Sequence, residues 1–146
     1  ISAARVVRLF GFDPKVAFVS HSTFGQPLTS RTKHIKNAVE ILKNKNVNFE
    51  FDGDMQPDVA LNEEYKALYP FSKIVGNANI LIMPGQHSAA ISYKMMKTLG
   101  DTKVIGPLLI GLGLPIEIAP LRSSTSEILN LASIAAYSAD VIDYKK

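Results

Sequence analysis

A chain of 146 residues that is 47% hydrophobic and 20% charged holds enough apolar material for one sizeable core and is too short for two full domains. Its net charge of +3 is mild and its basic residues form no unbroken run, which argues against a nucleic-acid tail and stays compatible with a small anionic ligand. With no cysteine there is no disulfide, thiolate nucleophile or zinc–thiolate cluster, and no stretch nears the roughly 18 apolar residues of a membrane span, so a soluble cytoplasmic protein with no membrane partner is expected.

The chain opens on Ile1, and Ala3, Val7 and Phe10 already recur at helical spacing before Gly11 stops them, so a fragment of something longer is expected. After Asp13-Pro14, KVAFVS is an apolar run of strand length that feeds the turn-prone HSTFGQP. From about Ser30, Ile35, Ala38, Val39 and Leu42 mark the apolar face of a helix whose other faces carry Arg31, Lys33, Lys36, Lys43 and Lys45. VNFEF reads as a strand ending in an acidic turn, DGDMQPD. Val59, Leu61, Tyr65 and Leu68 then predict a helix closed by Pro70. ANILIMP is the clearest buried strand, and SAAISYKMMKTLG is a helix with Ala89, Tyr93, Met96 and Leu99 on one stripe, ended by Gly100. Short strands are predicted at KVIG and PIEIA, on either side of the glycine-rich GPLLIGLGL, before a long terminal helix striped by Ile128, Leu131, Ala132 and Ala135.

Strands apolar throughout and alternating with helices predict an α/β fold with a mostly parallel sheet covered on both faces. Ligands in such folds sit at the carboxyl ends of the strands, which directs attention to the loops after Val19, Phe51, Met83, Ile105 and Ile118. In VSHSTFG, Ser20, His21 and Ser22 are adjacent, yet neighbours on an extended segment face opposite ways, so His21 is badly placed as a base for Ser22. Two readings remain for that loop: a cradle in which Ser20, Ser22, Thr23 and Gly25 hold an anion such as phosphate, or an ordinary polar loop. Asp52, Asp54 and Asp58 invite a metal, but the calcium-loop pattern is incomplete and His21, His34 and His87 stand in separate segments. No metal ligand is assigned, and Asp52-Gly53 is read as a turn, with Asp58 capping or charging the next helix. Lys94 flanks Tyr93 and reaches either a groove or water. Ser124 and Glu127 satisfy the capping-box pattern, and Arg122 sits just before the helix start, where a guanidinium suits a phosphate or carboxylate.

Four blocks in this order, KVAFVSHSTFG, FEFDGDMQPDVAL, NANILIMPGQHSAAISYKMMKTLGD and VIGPLLIGLGLPIEIAPLRSSTSEILNLA, resemble the C-terminal portion of phosphotransacetylases (phosphate acetyltransferases) along nearly the whole chain. The resemblance implies a three-layer αβα fold of the isocitrate and isopropylmalate dehydrogenase type. Residues 1–146 would then be a single phosphotransacetylase-like domain whose last helix, from residue 123, packs on a missing subdomain. Active family members carry a Ser-Arg pair after the last strand and an Asp six residues beyond the Arg; these positions fall here on Pro120, Leu121 and Glu127. Phe24 stands where the family's S-x-S-T-K-G loop has its lysine. No catalytic residue is therefore assigned.

GFDPKVAFVSHSTFG looks closer to the phosphotransacetylase-like C-terminal domain of large bacterial NADP-dependent malic enzymes. That resemblance implies a regulatory and oligomerisation module with acetyl-CoA or a related acyl-CoA as effector. It implies no cofactor in this segment, with NADP and a divalent metal belonging to an N-terminal part that decarboxylates malate, and it implies a homo-oligomer that binds no nucleic acid. The ligand contacts it suggests are Ser20, Ser22, Thr23, Gly25, Lys94 and Arg122. The alternatives are an active phosphate acetyltransferase and a purely structural dimerisation domain.

Overall fold

The computed structural model describes residues 1–100 and 102–141, which form two compact units, residues 1–92 and 93–146. In the first unit, α1 (Ser2–Leu9) precedes β1 (Lys15–Val19), α2 (Ser30–Lys43), β2 (Glu50–Met55), α3 (Pro57–Leu61), α4 (Glu63–Lys66) and β3 (Ile80–Ile82). α5 (Gln86–Leu99) runs from the first unit into the second, and α6 (Thr125–Val141) follows.

The three strands are parallel in the order β2-β1-β3. Because successive residues of a strand point to opposite faces, β1 supplies two cores. Ala17 joins Met55, Val59, Ala60, Ile74 and Ala78 on the α3 face. Val16 joins Ala4 and Ile80 on the α1 face, with Phe18, Phe51 and Ile82 packed around them. Helix, sheet and helix thus make three layers within the first unit, as expected for an α/β protein with a buried parallel sheet. The chain leaves β1 for β2 on one side and returns to β3 on the other, so the crevice between the carboxyl ends of β1 and β3 is a topological switch point.

The DGD stretch is not a turn. Asp52, Gly53 and Asp54 continue β2 to Met55, pairing Ala17 with Asp52 and Phe18 with Gly53 before the register shifts and Val19 pairs with Met55. Asp54 is the extra residue of this bulge, a device that re-aims one side chain out of a ladder. The turn signal of Asp-Gly is overridden because the Asp52 carboxylate is satisfied in the strand, accepting the N–H of Gly53 at 3.0 Å and of Lys73 at 2.7 Å.

Other expectations change for similar reasons. The helix expected across Val59 to Leu68 is two short helices, because Asn62 is extended and its side chain accepts the Glu64 N–H. Only Val59 of the predicted stripe is buried; Leu61, Tyr65 and Leu68 face solvent. α5 forms as expected but buries none of its residues, so Met96 and Leu99 are exposed. KVIG and PIEIA are not strands: from residue 102 to 124 the chain has neither helix nor strand, and Ile105, Ile116 and Ile118 are exposed. An apolar run becomes a strand only when a neighbour completes its hydrogen bonds, and none does among the described residues.

One buried charge lies at the amino end of the sheet. Lys66 is buried and its ammonium has no hydrogen-bond partner among the described residues. Burial holds its pKa below the ordinary lysine value, and Lys15 pushes the same way against the opposing pull of Glu63 and Glu50.

Gly53 has φ +148°, and a Cβ there would lie 2.6 Å from the Phe18 carbonyl oxygen and 2.8 Å from the Phe18 Cβ. Any side chain must displace the central strand. Gly53→Ala is expected to destabilise the fold by roughly 2–4 kcal/mol in urea denaturation, with the loss falling on the unit that contains β1 and β2.

Candidate functional site

Two places gather the residues singled out in the sequence. The first is the loop that leaves β1 at the switch point. Asp54, re-aimed by the bulge and buried, accepts a hydrogen bond from the Ser22 hydroxyl on Oδ2 and from the Gly25 N–H on Oδ1 at 3.1 Å. Its carbonyl accepts the Phe24 N–H at 2.6 Å. Ser20 Oγ lies 3.2 Å from Ser22 Oγ and accepts the Ser22 N–H at 3.3 Å, while the Ser20 N–H donates to the Met55 carbonyl. Thr23 Oγ1 accepts the Gln56 N–H at 3.2 Å, and its backbone exchanges both hydrogen bonds with Gln26.

The structure therefore brings Ser20, Ser22, Thr23 and Gly25 together, around a carboxylate that the loop sequence does not reveal. All three residues are buried, and the Ser22 and Thr23 hydroxyls tie the loop to Asp54 and Gln56 at the end of β2. His21 is exposed and contributes its carbonyl to Gln56 Nε2, so the partner of Ser22 is an aspartate 32 residues away, not the adjacent histidine. Phe24 takes a left-handed φ of +50°, uncommon for a bulky residue, and its ring packs on Tyr69 at 5.5 Å and Phe71 at 4.8 Å. Those contacts, with the N–H bond to Asp54, hold the strained residue in place.

The second place lies wholly in the second unit. Pro120, Arg122, Ser123, Glu127, Asn130 and Lys97 line a cavity of about 110 Å³. The expected capping box is present: Ser124 Oγ accepts the Glu127 N–H at 3.3 Å, and Glu127 Oε2 accepts the Ser124 N–H at 2.7 Å. Lys97 adds what the local pattern omits, donating to Glu127 Oε1 as an ion pair. The Lys97 hydrogen bond, then those from the Ser124 N–H and hydroxyl, hold the Glu127 carboxyl at about 2. Arg122 has no ion-pair or hydrogen-bond partner among the described residues, and the Ser123 hydroxyl is buried without one. Leu121 points fully into solvent. Lys94 is exposed on α5, one turn before Lys97, and does not line the cavity; its carbonyl accepts the Thr98 hydroxyl.

Lys97, Ser123 and Asp54 are the residues that sequence reasoning missed as site members. Lys97 had one available signal, its position three residues after Lys94 on the same helical face. Among the described residues no helix is long and apolar enough to cross a membrane.

Comparison with known proteins places this geometry among its relatives. The family model for phosphate acetyl/butaryl transferase matches residues 1–136. An NADP-dependent malic enzyme of Rhizobium meliloti (strain 1021) is 47% identical over 137 residues, which are 94% of this chain and 18% of that protein. A phosphate acetyltransferase of Clostridium acetobutylicum is 36% identical over 141 residues, covering 95% of this chain and 42% of the relative. The EutD phosphotransacetylase from Staphylococcus aureus superposes with a TM-score of 0.88 at 30% identity, over 95% of this chain and 44% of that one. The chain thus spans under a fifth of the malic enzyme and under half of either transacetylase.

Two expectations follow from this geometry. Asp54→Asn turns one carboxylate acceptor into a donor facing the Ser22 hydroxyl or the Gly25 N–H. It should cost about 2–3 kcal/mol and speed amide exchange at Gly25 and Phe24, read by denaturation and by hydrogen exchange. For Glu127 the folded pKa is depressed, so whatever the ion pair contributes is fully present above the ordinary carboxylate pKa and is lost as pH falls from about 4.5 to about 2. An NMR titration of the Glu127 side chain should show its midpoint near 2, and Lys97→Met should move that midpoint upward.

Proposed function

The chain belongs to the phosphate acetyl/butaryl transferase family, and on that premise we propose that it is the regulatory and oligomerisation module at the C-terminal end of a cytoplasmic NADP-dependent malic enzyme, binding acetyl-CoA or a related acyl-CoA without turning it over. Malic enzymes and phosphotransacetylases share this domain, and the 47% identity to a malic enzyme favours the first as the parent. Oxidative decarboxylation of malate, with its NADP and divalent metal, would reside in the remainder of such a parent.

The observation that carries the reading is the state of Glu127. Acyl transfer between a thiol and phosphate needs a group that gives and takes a proton near neutral pH and a cation that steadies the oxygen on which charge develops. Glu127 stands at the family's carboxylate position, but Lys97 and Ser124 hold its pKa at about 2, far too low for a proton carrier at neutral pH. The family's Ser-Arg positions carry Pro120, which has no donor, and Leu121, whose side chain lies in solvent. Charge suited to holding an anion persists in Arg122 and Lys94, while the family's catalytic positions carry Pro120, Leu121 and an ion-paired Glu127.

In this reading the loop of Ser20, Ser22, Thr23 and Gly25 is a candidate contact for a phosphate of the ligand. Lys94 and Arg122, in the second unit, are candidate point charges for an anion in their own right. A ligand regulates only to the extent that it prefers one conformation, so acetyl-CoA acts by favouring one arrangement of the module over another, and the malate site responds through that equilibrium.

The test uses the full-length polypeptide. Calorimetry should show acetyl-CoA binding, malate oxidation should change with the bound fraction, and acetyl-CoA plus phosphate should yield no acetyl phosphate. Arg122→Ala should weaken binding about tenfold, the loss of one charge-assisted contact. Acetyl phosphate formation that vanishes in Arg122→Ala would establish a working transferase instead, and absence of any acyl-CoA binding would leave a structural dimerisation domain.

A further inference from the structure

An apolar groove over the α1 face of the sheet takes no part in the acyl-CoA reading. It encloses about 360 Å³, within the range of about 300–1,000 Å³ typical of small-molecule sites, and its lining lies wholly in the first unit. Val16 and Phe18 of β1 and Ile80 and Ile82 of β3 form its floor. α1 supplies one wall with Ala3 and Ala4, and α2 supplies the other with Ala38, Ile41 and Leu42. The space exists because both helices carry alanine where they border it, so Phe18 and Ile82 stay only partly buried above the sheet. Walls short of contacts in this way favour an apolar guest.

Lys45 is the one charged side chain that lines the groove among the described residues. It is exposed, which puts it at the mouth, and its ammonium has no ion-pair or hydrogen-bond partner among the described residues. The helix before it adds Arg31, Lys33, Lys36 and Lys43 against a single acid, Glu40, which Lys43 already pairs. We infer that the groove binds a free aliphatic carboxylate of medium chain length, with the hydrocarbon over Val16, Phe18, Ile80 and Ile82 and the carboxylate on Lys45. Charge selects the head group, since a cationic one would meet Lys45 and the basic face of α2. Volume selects a single chain: one turn of helix, about 10–12 Å across and about 5.4 Å long, already exceeds the space, so a docked helix does not fit. None of the lining residues is at a position where the family resemblance places a catalytic group, and none belongs to the loop of Ser20, Ser22, Thr23 and Gly25.

The test is calorimetric titration of the full-length polypeptide with decanoate, below the concentration at which it forms micelles. Binding should saturate, weaken as salt rises, and tighten about threefold for each methylene from hexanoate to decanoate. Decanol, with the same chain and no charge, should bind about fivefold more weakly, and Lys45→Met should bring decanoate down to the affinity of decanol, the worth of one solvent-screened pair. Ala38→Leu and, independently, Ala3→Leu fill the groove from opposite walls, so each should abolish binding with circular dichroism unchanged and Tm level or raised. Absence of saturable decanoate binding overturns the proposal; where Ala38→Leu and Ala3→Leu also lower Tm, another part of the polypeptide already fills the groove. Equal affinity for decanoate and decanol, or decanoate binding untouched by Lys45→Met, overturns it by removing the role of the charge. Co-sedimentation with phosphatidylglycerol vesicles in place of saturable decanoate binding overturns it in favour of a membrane surface.

Discussion

The buried Asp54 carboxylate is the constraint around which the first unit is arranged. A charge removed from water is tolerated only if hydrogen bonds replace its hydration. Here the replacement comes from the Ser22 hydroxyl and the Gly25 N–H, both on the loop that leaves the central strand. Meeting that requirement ties the carboxyl ends of β1 and β2 together and gives the loop one conformation. It also explains Gly53: the bulge that turns Asp54 toward the loop brings the backbone against Phe18, where a Cβ has no room. The strained Phe24, locked by Tyr69 and Phe71, follows from the same closure.

In the second unit the governing contact is also a carboxylate with every acceptor committed, but an accessible one. Glu127 caps a helix through Ser124 and pairs with Lys97 in a setting where solvent screens the attraction, so its value lies less in stability than in which groups it occupies. A carboxylate with a pKa near 2 has no proton to trade at neutral pH, yet it still cancels a lysine that would otherwise attract anions. The same three bonds leave it neither a free acceptor nor a proton to give at neutral pH.

Local patterns were legible where a few neighbouring residues decide the outcome. The capping box at Ser124 and Glu127, the helical stripe containing Val39 and Leu42, and the apolar run of β1 all formed as their spacing implies. Asp52-Gly53 reads as a turn because that dipeptide favours one in isolation. It is a strand because Lys73, 21 residues away, supplies the N–H that a turn would have supplied. KVIG and PIEIA have the composition of strands and lack the neighbour that makes a strand. The loop after β1 stood out by its hydroxyls, while the carboxylate they gather around, Asp54, did not.

The strands β1 and β3, the helices α2, α5 and α6, the parallel α/β class and the family were contained in the amino-acid sequence, because apolar periodicity, caps and four colinear blocks are properties of adjacent residues. Tertiary structure alone decided that Ser22 answers to Asp54 and that Lys97 reaches across 30 residues to Glu127. The reason is range. A helix cap is satisfied within one turn of chain, whereas a carboxylate takes whichever donor the fold delivers, and nothing in the local sequence of either partner names the other.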